Sequence, residues 1–320
     1  MHLASATPTL LSQEREPIMS VSLSTAGRSG LVYLVGAGML WGTGGLLGTL
    51  LGRSTGLSPV AVAACRLAVG GLLLVALLAV TRRPWPRNPV AWRRIGAVAG
   101  LAAAFQASYF GAVAASSVSV ATLITIGASP VLVALLEQVT GRRALDRRRA
   151  VTIGIALAGL ALLVGVPSDD MSAAGLLGGA ALAVAAAAAF ATVTVLSARP
   201  VVGLDAMTTT GLGFTGGGLL LAPLAVTTGV TFHLTAGGIA LILVLGLVPT
   251  AIAYTLYFRG LPDAGPGTAA VLALLEPLTG AVLAALILGE RLTTTGLLGG
   301  GLLVLALILT SAQSREKDTL

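Results

Sequence analysis

Long apolar runs separated by short polar stretches set the pattern of this chain. Ten can be counted, near residues 31–52, 57–81, 93–115, 117–140, 150–166, 173–197, 204–227, 236–258, 265–289 and 294–312. A helix needs roughly 20 apolar residues to cross the hydrocarbon layer of a bilayer, with a range of about 17–25. Each run is continuous rather than alternating. The pattern therefore predicts spanning helices and not the two-residue period of a membrane barrel. The fifth run is short, and the fourth follows the third with almost no connection. Residues 1–30 break the pattern with Pro8, Pro17, Glu14, Arg15, Glu16 and many Ser and Thr. They predict a disordered tail, with 313–320 as a second one. Met19 is an alternative start. Nine apolar runs follow the first, so a cleaved signal peptide is the weaker reading.

Composition agrees with lipid as the solvent. Of 320 residues, 56% are hydrophobic and only 10% charged, and Gly counts 42. A soluble domain carries about 25% charged residues. Mean hydropathy is +0.96. The single cysteine, Cys65, excludes an internal disulfide framework and a cysteine metal cluster. With only His2 and His233, zinc sites and histidine general-base chemistry are not expected. No glycine-rich phosphate loop or Walker lysine motif occurs, so no cofactor and no ATP drive is expected.

The net charge of +7 is a matter of orientation rather than of nucleic-acid binding. With the N-terminus inside and the spans alternating, the inner segments hold Arg15 and Arg28, Arg82, Arg83, Arg87, Arg93 and Arg94. They also hold Arg142, Arg143, Arg147, Arg148 and Arg149, then Arg199, Arg259, Arg315 and Lys317. That is 16 of the 19 basic residues. The outer loops hold only Arg53 and Arg291, and Arg66 lies within a span. Such a bias predicts both termini in the cytoplasm of a multi-pass cell (plasma or inner) membrane protein. The Arg142–Arg149 cluster reads first as a topogenic loop, with lipid head-group contact alongside.

An internal repeat is visible at a shift of 147 residues. Gly70-Gly71-Leu72-Leu73-Leu74 falls on Gly217-Gly218-Leu219-Leu220-Leu221, and Pro130 falls on Pro277. With one residue of slack, Tyr109-Phe110 falls on Tyr257-Phe258. The halves are 31–166 and 173–312, with five helices each. Five is odd, so the halves insert with opposite orientation. The charges agree: the loops after the second and fourth helices carry five Arg each, while their counterparts carry none and one. The predicted fold is an all-α membrane protein of ten transmembrane helices in two inverted five-helix repeats. Inverted repeats of this kind are typical of secondary transporters, with the site near midplane.

Several stretches resemble the drug/metabolite transporter superfamily, specifically its EamA type. The strongest is Leu275-Glu276-Pro277-Leu278 through Leu288-Gly289-Glu290-Arg291-Leu292-Thr293; Trp41-Gly42, Arg66-Leu67 and Ser129-Pro130 are weaker. The resemblance covers about residues 31–312. It implies a central cavity lined by helices one, three, four, six, eight and nine. Members of the family carry amino acids, sugars, nucleotide-type metabolites or drugs, so no one substrate is implied. One departure is visible. The first half has Arg142-Arg143 where the second has Gly289-Glu290, so an acidic brace at that turn is missing from the first half.

The candidate site residues follow from depth. Ser129-Pro130 and Glu276-Pro277 interrupt corresponding helices. Each proline removes a backbone hydrogen bond and frees the carbonyl four residues earlier, of Ile126 or Ala273. Paired interruptions are the best sequence pointer to a transport site, against the alternative of packing kinks. Glu276 lies about 15 Å deep, at 1.5 Å per residue. A charge at that depth costs about 2.5–3.5 kcal/mol on insertion scales. It suits proton coupling or an ammonium-bearing substrate; the alternative is a structural carboxyl, neutral or paired with Arg66. Arg66, equally deep, either braces helices or meets an anionic substrate. Trp41, Gln106, Tyr109, Tyr254 and Tyr257 are candidate cavity residues, with an interfacial belt as the alternative for the tyrosines. Glu137, near the cytoplasmic end of the fourth helix, is expected at the interface, with a gating or coupling role as the alternative. Gly38-x-x-x-Gly42 and Gly44-x-x-x-Gly48 are expected to be packing faces. The leading expectation is a secondary active exporter of small metabolites, amino-acid-like or drug-like. It would work by alternating access around a midplane site, drawing on a proton or other ion gradient. The alternatives are a passive channel or uniporter and, behind them, an intramembrane enzyme. The partners expected are a small-molecule substrate and the lipid bilayer.

Overall fold

The structure is a computed structural model describing residues 18–165, 173–228, 235–289 and 293–317. His233, Asp169, Asp170, Glu290 and Arg291 lie outside these residues, as do residues 1–17 of the tail expected over 1–30 and residues 318–320 of the second tail. The helices are α1 (Ile18–Thr55), α2 (Pro59–Val80), α3 (Pro89–Ala115), α4 (Val118–Val139), α5 (Arg147–Val164), α6 (Ala173–Ser197) and α7 (Ala206–Thr227). The eighth span is α8 (Ala236–Gly246), a π-helical turn (Leu247–Ile252) and α9 (Ala253–Ala264). The ninth is α10 (Pro266–Leu272) followed by α11 (Leu275–Leu288), and the tenth is α12 (Thr294–Lys317). Helix α1 begins inside the segment read as a tail. Among the described residues, nine spans are long and apolar enough to cross a bilayer. The tenth, α5, opens with Arg147, Arg148 and Arg149. Its apolar part is about 22 Å long at 1.5 Å per residue, shorter than the ~30 Å core.

Helix ends are fixed by side chains that take up the orphan N–H groups of the first turn. Ser58, Asn88, Ser117, Asp146, Asp205 and Thr235 each accept from a backbone N–H two or three residues on. Pro59 and Pro89 occupy first-turn positions, where a missing N–H costs nothing. The sharp reversal between α9 and α10 is made by Gly265 at φ 81°, a left-handed conformation that other residues adopt only with strain. Pro266 follows it.

The packing repeats itself under exchange of the halves. Helix α2 packs along α7 and α5 along α12, each span against its own counterpart. Helix α3 packs on α6, and α1 on α9; α4 packs on α6, and α1 on α11. The glycines carry this symmetry to single residues. A Cβ on Gly71 would lie against the backbone nitrogen of Thr215, and one on Gly218 would lie 2.6 Å from the backbone nitrogen of Ala68. A Cβ on Gly70 would lie 2.6 Å from the Gly246 carbonyl, and one on Gly217 3.2 Å from the Ala99 carbonyl. Ala68 and Thr215, and Ala99 and Gly246, are themselves related by the 147-residue shift. The glycine pairs mark where backbones approach most closely, as small residues do in membrane bundles.

The two paired prolines behave differently. Helix α4 runs unbroken through Pro130. In it the Ser129 hydroxyl donates to the Thr125 carbonyl at 2.7 Å, and the Thr125 hydroxyl donates across to the Ala183 carbonyl of α6 at 3.2 Å. The ninth span breaks at Ala273–Leu274, four residues before Pro277. The Ala273 carbonyl, expected to be free, accepts from the Glu276 N–H at 3.0 Å in a tighter turn. In the eighth span, Pro249 sits in the π-helical turn, and the Thr250 hydroxyl donates to the Leu245 carbonyl at 2.9 Å. The first half has Ala102 at the equivalent place, so this irregularity belongs to one half only.

Candidate functional site

A cavity of about 520 Å³ opens between the halves. From α1 it is lined by Trp41, Gly44, Gly45, Gly48, Thr49, Gly52 and Arg53. The first half also contributes Arg66 of α2, Phe105, Gln106 and Tyr109 of α3, and Thr122, Thr125, Ile126 and Ser129 of α4. The second half adds Phe190, Leu245, Tyr254, Ala273 and Glu276. The lining reaches Arg53, Leu57, Pro59 and Val118, at the end of the bundle carrying the α1–α2 and α3–α4 connections. No residue of the arginine-rich end lines it.

Seven of the ten sequence candidates meet on this wall: Glu276, Trp41, Gln106, Tyr109, Ser129, Tyr254 and Arg66. The other three do not reach it. Pro130 is buried behind Ser129, and Pro277 is half-buried behind Glu276. Tyr257 is fully buried, and its hydroxyl is 2.8 Å from that of Thr194 on α6. It lies about one turn beyond Tyr254 toward the closed end, at 3.6 residues per turn.

The aromatic rings form one connected surface. Trp41 is 4.8 Å from Tyr254, 4.9 Å from Tyr257 and edge-on to Phe190 at 6.1 Å, centroid to centroid. Phe190 continues to Phe105 at 6.1 Å, and Phe105 stacks on Tyr109 at 6.2 Å. These separations suit attractive ring packing. The Tyr109 hydroxyl pairs with that of Thr122 at 2.8 Å. The wall therefore runs through α1, α3, α6 and α9 with a few hydroxyls along it.

Charge enters at Arg66 and Glu276. Glu276 opens α11 directly after the break in the ninth span. Arg66 lies across the cavity on α2, and its Nε has no hydrogen-bond partner. No ion pair joins the two among the described residues. The pairing that would have made both structural is thus absent. Arg66 and Glu276 thus face the cavity beside its aromatic wall, with Arg53 nearer the opening.

Two glycine expectations separate here. Gly38 and Gly42 do pack, against the Leu272 carbonyl at 2.7 Å and against Thr279 Cβ at 2.5 Å, as Cβ positions would find them. Gly44, Gly45, Gly48 and Gly52 instead form a side of the cavity without side chains, and a Cβ on Gly45 would meet nothing within 4 Å. Sequence alone does not separate the two sets, since both show the same four-residue spacing.

The end opposite the opening is sealed by polar contacts that the sequence did not suggest. Glu137 and Arg149 form an ion pair with each side chain 6% exposed, so Glu137 is buried rather than interfacial. A Cβ on Gly267 of α10 would run into this pair. Arg142 donates to the Val195 carbonyl of α6 at 2.6 Å, tying the turn after α4 to α6.

Comparison with known proteins agrees with this architecture. The EamA-like transporter family matches residues 28–165 and again 177–312. An uncharacterized transporter of Bacillus subtilis, YwfM, is 30% identical over 288 residues, covering 90% of this chain and 95% of that protein. An uncharacterized inner membrane transporter of Salmonella typhimurium, YicL, is 26% identical, covering 91% and 97%. A solved crystal structure superposes with a TM-score of 0.76 at 19% identity, covering 90% of this chain and 99% of that one, which shows a shared fold. With two successive matches to one family and ten helices in two inverted halves around a cavity, the chain is a multi-pass membrane protein of the EamA-like transporter family, a transporter rather than an enzyme.

Proposed function

We propose that this protein is a secondary active exporter in the inner membrane, moving small amino-acid-like or drug-like metabolites by alternating access, with Glu276 as the proton carrier. The observation that carries the reading is a cavity reaching one end of the bundle only, with the carboxylate of Glu276 and the guanidinium of Arg66 on its wall. A channel needs a continuous path, whereas a carrier needs a site closed on one side at a time. The closed side is the arginine-rich end. The charge bias supports placing it, with both termini, in the cytoplasm. The geometry described here then corresponds to the state open to the outside.

Alternating access follows from the symmetry. The helix packing repeats under exchange of the halves, although the Glu137–Arg149 pair does not, so rocking the halves can exchange which end is shut. Glu276 can hold a proton or meet a substrate ammonium, but not both at once. That exclusion couples outward substrate movement to inward proton movement. The aromatic wall binds the apolar part of a substrate through area and ring packing.

The test is transport in proteoliposomes. Substrates are found first by screening metabolite efflux from expressing cells with and without the proton gradient. The expected result is counterflow exchange, which a passive channel does not show. Glu276→Gln is expected to abolish proton-driven uptake while leaving exchange measurable. Unchanged transport and pH dependence in that variant would remove Glu276 from the coupling step.

A further inference from the structure

We infer that the groove between α5 and α12 at the arginine-rich end is a binding site for an anionic phospholipid. The groove measures about 620 Å³ and is lined by Arg147, Arg148, Val151, Thr152, Leu309, Ala312 and Gln313. Its chemistry is divided by depth. Arg147 and Arg148 stand exposed at the rim, where α5 begins. Val151 and Leu309 form an apolar floor one turn or so further into the bundle, about 5.4 Å per turn. That order matches a phosphodiester at head-group level with an acyl chain below it.

The polar partition at the back of the groove strengthens the assignment. Gln313 Nε2 donates to Thr152 Oγ1 at 3.0 Å. Behind this bond lies a smaller pocket, lined by Arg143, Arg149, Thr268 and Thr310 among others, which shares Thr152 and Gln313 with the groove. Arg149 is 5% exposed, and its Nη1 has no hydrogen-bond partner. A buried guanidinium nitrogen without an acceptor is costly. An anionic oxygen entering past the Gln313–Thr152 bond would supply one. Among the described residues, the two carboxylates beside Arg149 are already engaged. Asp146 accepts from the Arg149 N–H at 2.8 Å as the cap of α5, and Glu137 is held by Arg149. Basic pockets between spanning helices on the cytoplasmic side suit lipid phosphates, which guanidinium groups bind as paired donors. The leaflet rests on the orientation proposed above; the site itself does not.

The experiment uses the full chain in mixed micelles, following thermal unfolding and lipid retention by native mass spectrometry. Three probes are compared: phosphatidylglycerol, phosphatidylcholine and inorganic phosphate. Phosphatidylglycerol is expected to raise Tm by several degrees and to remain bound, and the other two are not. The double variant Arg147→Gln/Arg148→Gln is expected to lose most of that shift. A second pair, Arg87→Gln/Arg93→Gln, removes the same charge from another exposed arginine-rich segment and is expected to keep it. Ala312→Trp fills the groove without changing charge and is expected to release the lipid. Equal loss in both arginine pairs would reduce the effect to general surface charge. A phosphate response equal to that of phosphatidylglycerol would make the site a free-anion site. Retention in Ala312→Trp would overturn the acyl seat. None of these readouts depends on transport, so the proposed function can fail while this site stands, and the reverse.

Discussion

Glu137 of α4 and Arg149 of α5 are ion-paired inside the protein, and Gly267 of α10 closes directly on the pair. The pair belongs to the first half and the glycine to the second, so the contact joins the halves at the closed end. Shifted by 147 residues, the same two positions are Ala284 and Gly296. The opposite end therefore cannot form the equivalent pair. A bundle built from matched halves is thus latched at one end only, which favours the state described here.

Removing one partner of a buried pair leaves an uncompensated charge and costs about 3–5 kcal/mol. Glu137→Ala is expected to lower Tm markedly and to expose the closed end. Gly267→Ala keeps both charges but wedges a methyl group against them. It is expected to open the same end with a smaller loss of stability, about 1–3 kcal/mol as for other overpacked sites. Labelling of a cysteine placed at Thr194, from the arginine-rich side, measures the opening. Labelling no faster than in the parent would show that the pair is not a latch.

The α2–α7 crossing makes a sharper contrast among glycines. Gly218→Ala places its Cβ 2.6 Å from backbone at Ala68, which no side-chain rotation relieves. The expected cost is about 1–3 kcal/mol, read as a lower Tm. Gly45→Ala meets nothing within 4 Å and is expected to leave Tm unchanged or slightly raised, since Ala exceeds Gly in helix propensity. Because Gly45 lines the cavity, its effect is expected on substrate affinity instead. Transport kinetics beside a melting curve separate the two.

Much of this architecture is legible in the sequence, because a bilayer imposes long apolar runs and an inverted repeat shows itself by a constant shift. Seven candidate residues meet in one cavity for the same reason: costly groups at depth have few other places to go. What is not legible depends on neighbours distant in sequence. Glu137 looks interfacial because it is near a helix end, and its partner Arg149 hides in a loop that reads as topogenic. The π-helical turn at Pro249 has no counterpart in the first half to announce it. The stripe from Gly44 to Gly52 carries the same spacing as a packing face, and only the looser approach of its neighbours, 3.5 Å or more from a Cβ at Gly44, Gly48 or Gly52, leaves it as a cavity wall.

Asp205 ties the α6–α7 connection to the α2–α3 connection. It caps α7 by accepting from the Thr208 N–H at 2.7 Å and pairs with Arg83 at 2.9 Å. Partial burial pushes its carboxyl upward, but the Thr208 hydrogen bonds and the Arg83 guanidinium outweigh this and hold it below the usual carboxylate range. With a folded value below the unfolded one, its stabilisation is complete above about pH 4. It is lost as pH falls through the folded value. Asp205→Ala is expected to lower Tm at pH 7 by an amount set by a cap, about 0.5–2 kcal/mol. The difference from the parent should shrink below pH 4. A difference that holds constant down to pH 2 would show that the carboxylate is not responsible.

Tyr254 and Tyr257 look alike in sequence, three residues apart on one helix, but the structure gives them different work. Tyr254 lines the cavity against Trp41 and Phe214, at 4.8 and 4.5 Å. Tyr257 lies beneath it, 1% exposed, with its hydroxyl on Thr194. Tyr257→Phe leaves the buried Thr194 hydroxyl without that partner, a loss of about 1–3 kcal/mol. It is expected to lower Tm with little change in the substrate concentration for half-maximal transport. Tyr254→Phe removes no hydrogen bond seen among the described residues and is expected to leave Tm nearly unchanged. Tyr254→Ala, which also removes the ring, is expected to weaken substrate binding severalfold. The ring's face belongs to the cavity, and a stacked aromatic contact contributes about 0.5–1.5 kcal/mol. If Tyr257→Phe instead altered half-saturation and Tyr254→Ala did not, the binding surface would lie one turn deeper than the cavity does, and the place of Trp41 and Tyr254 on the binding wall would be wrong.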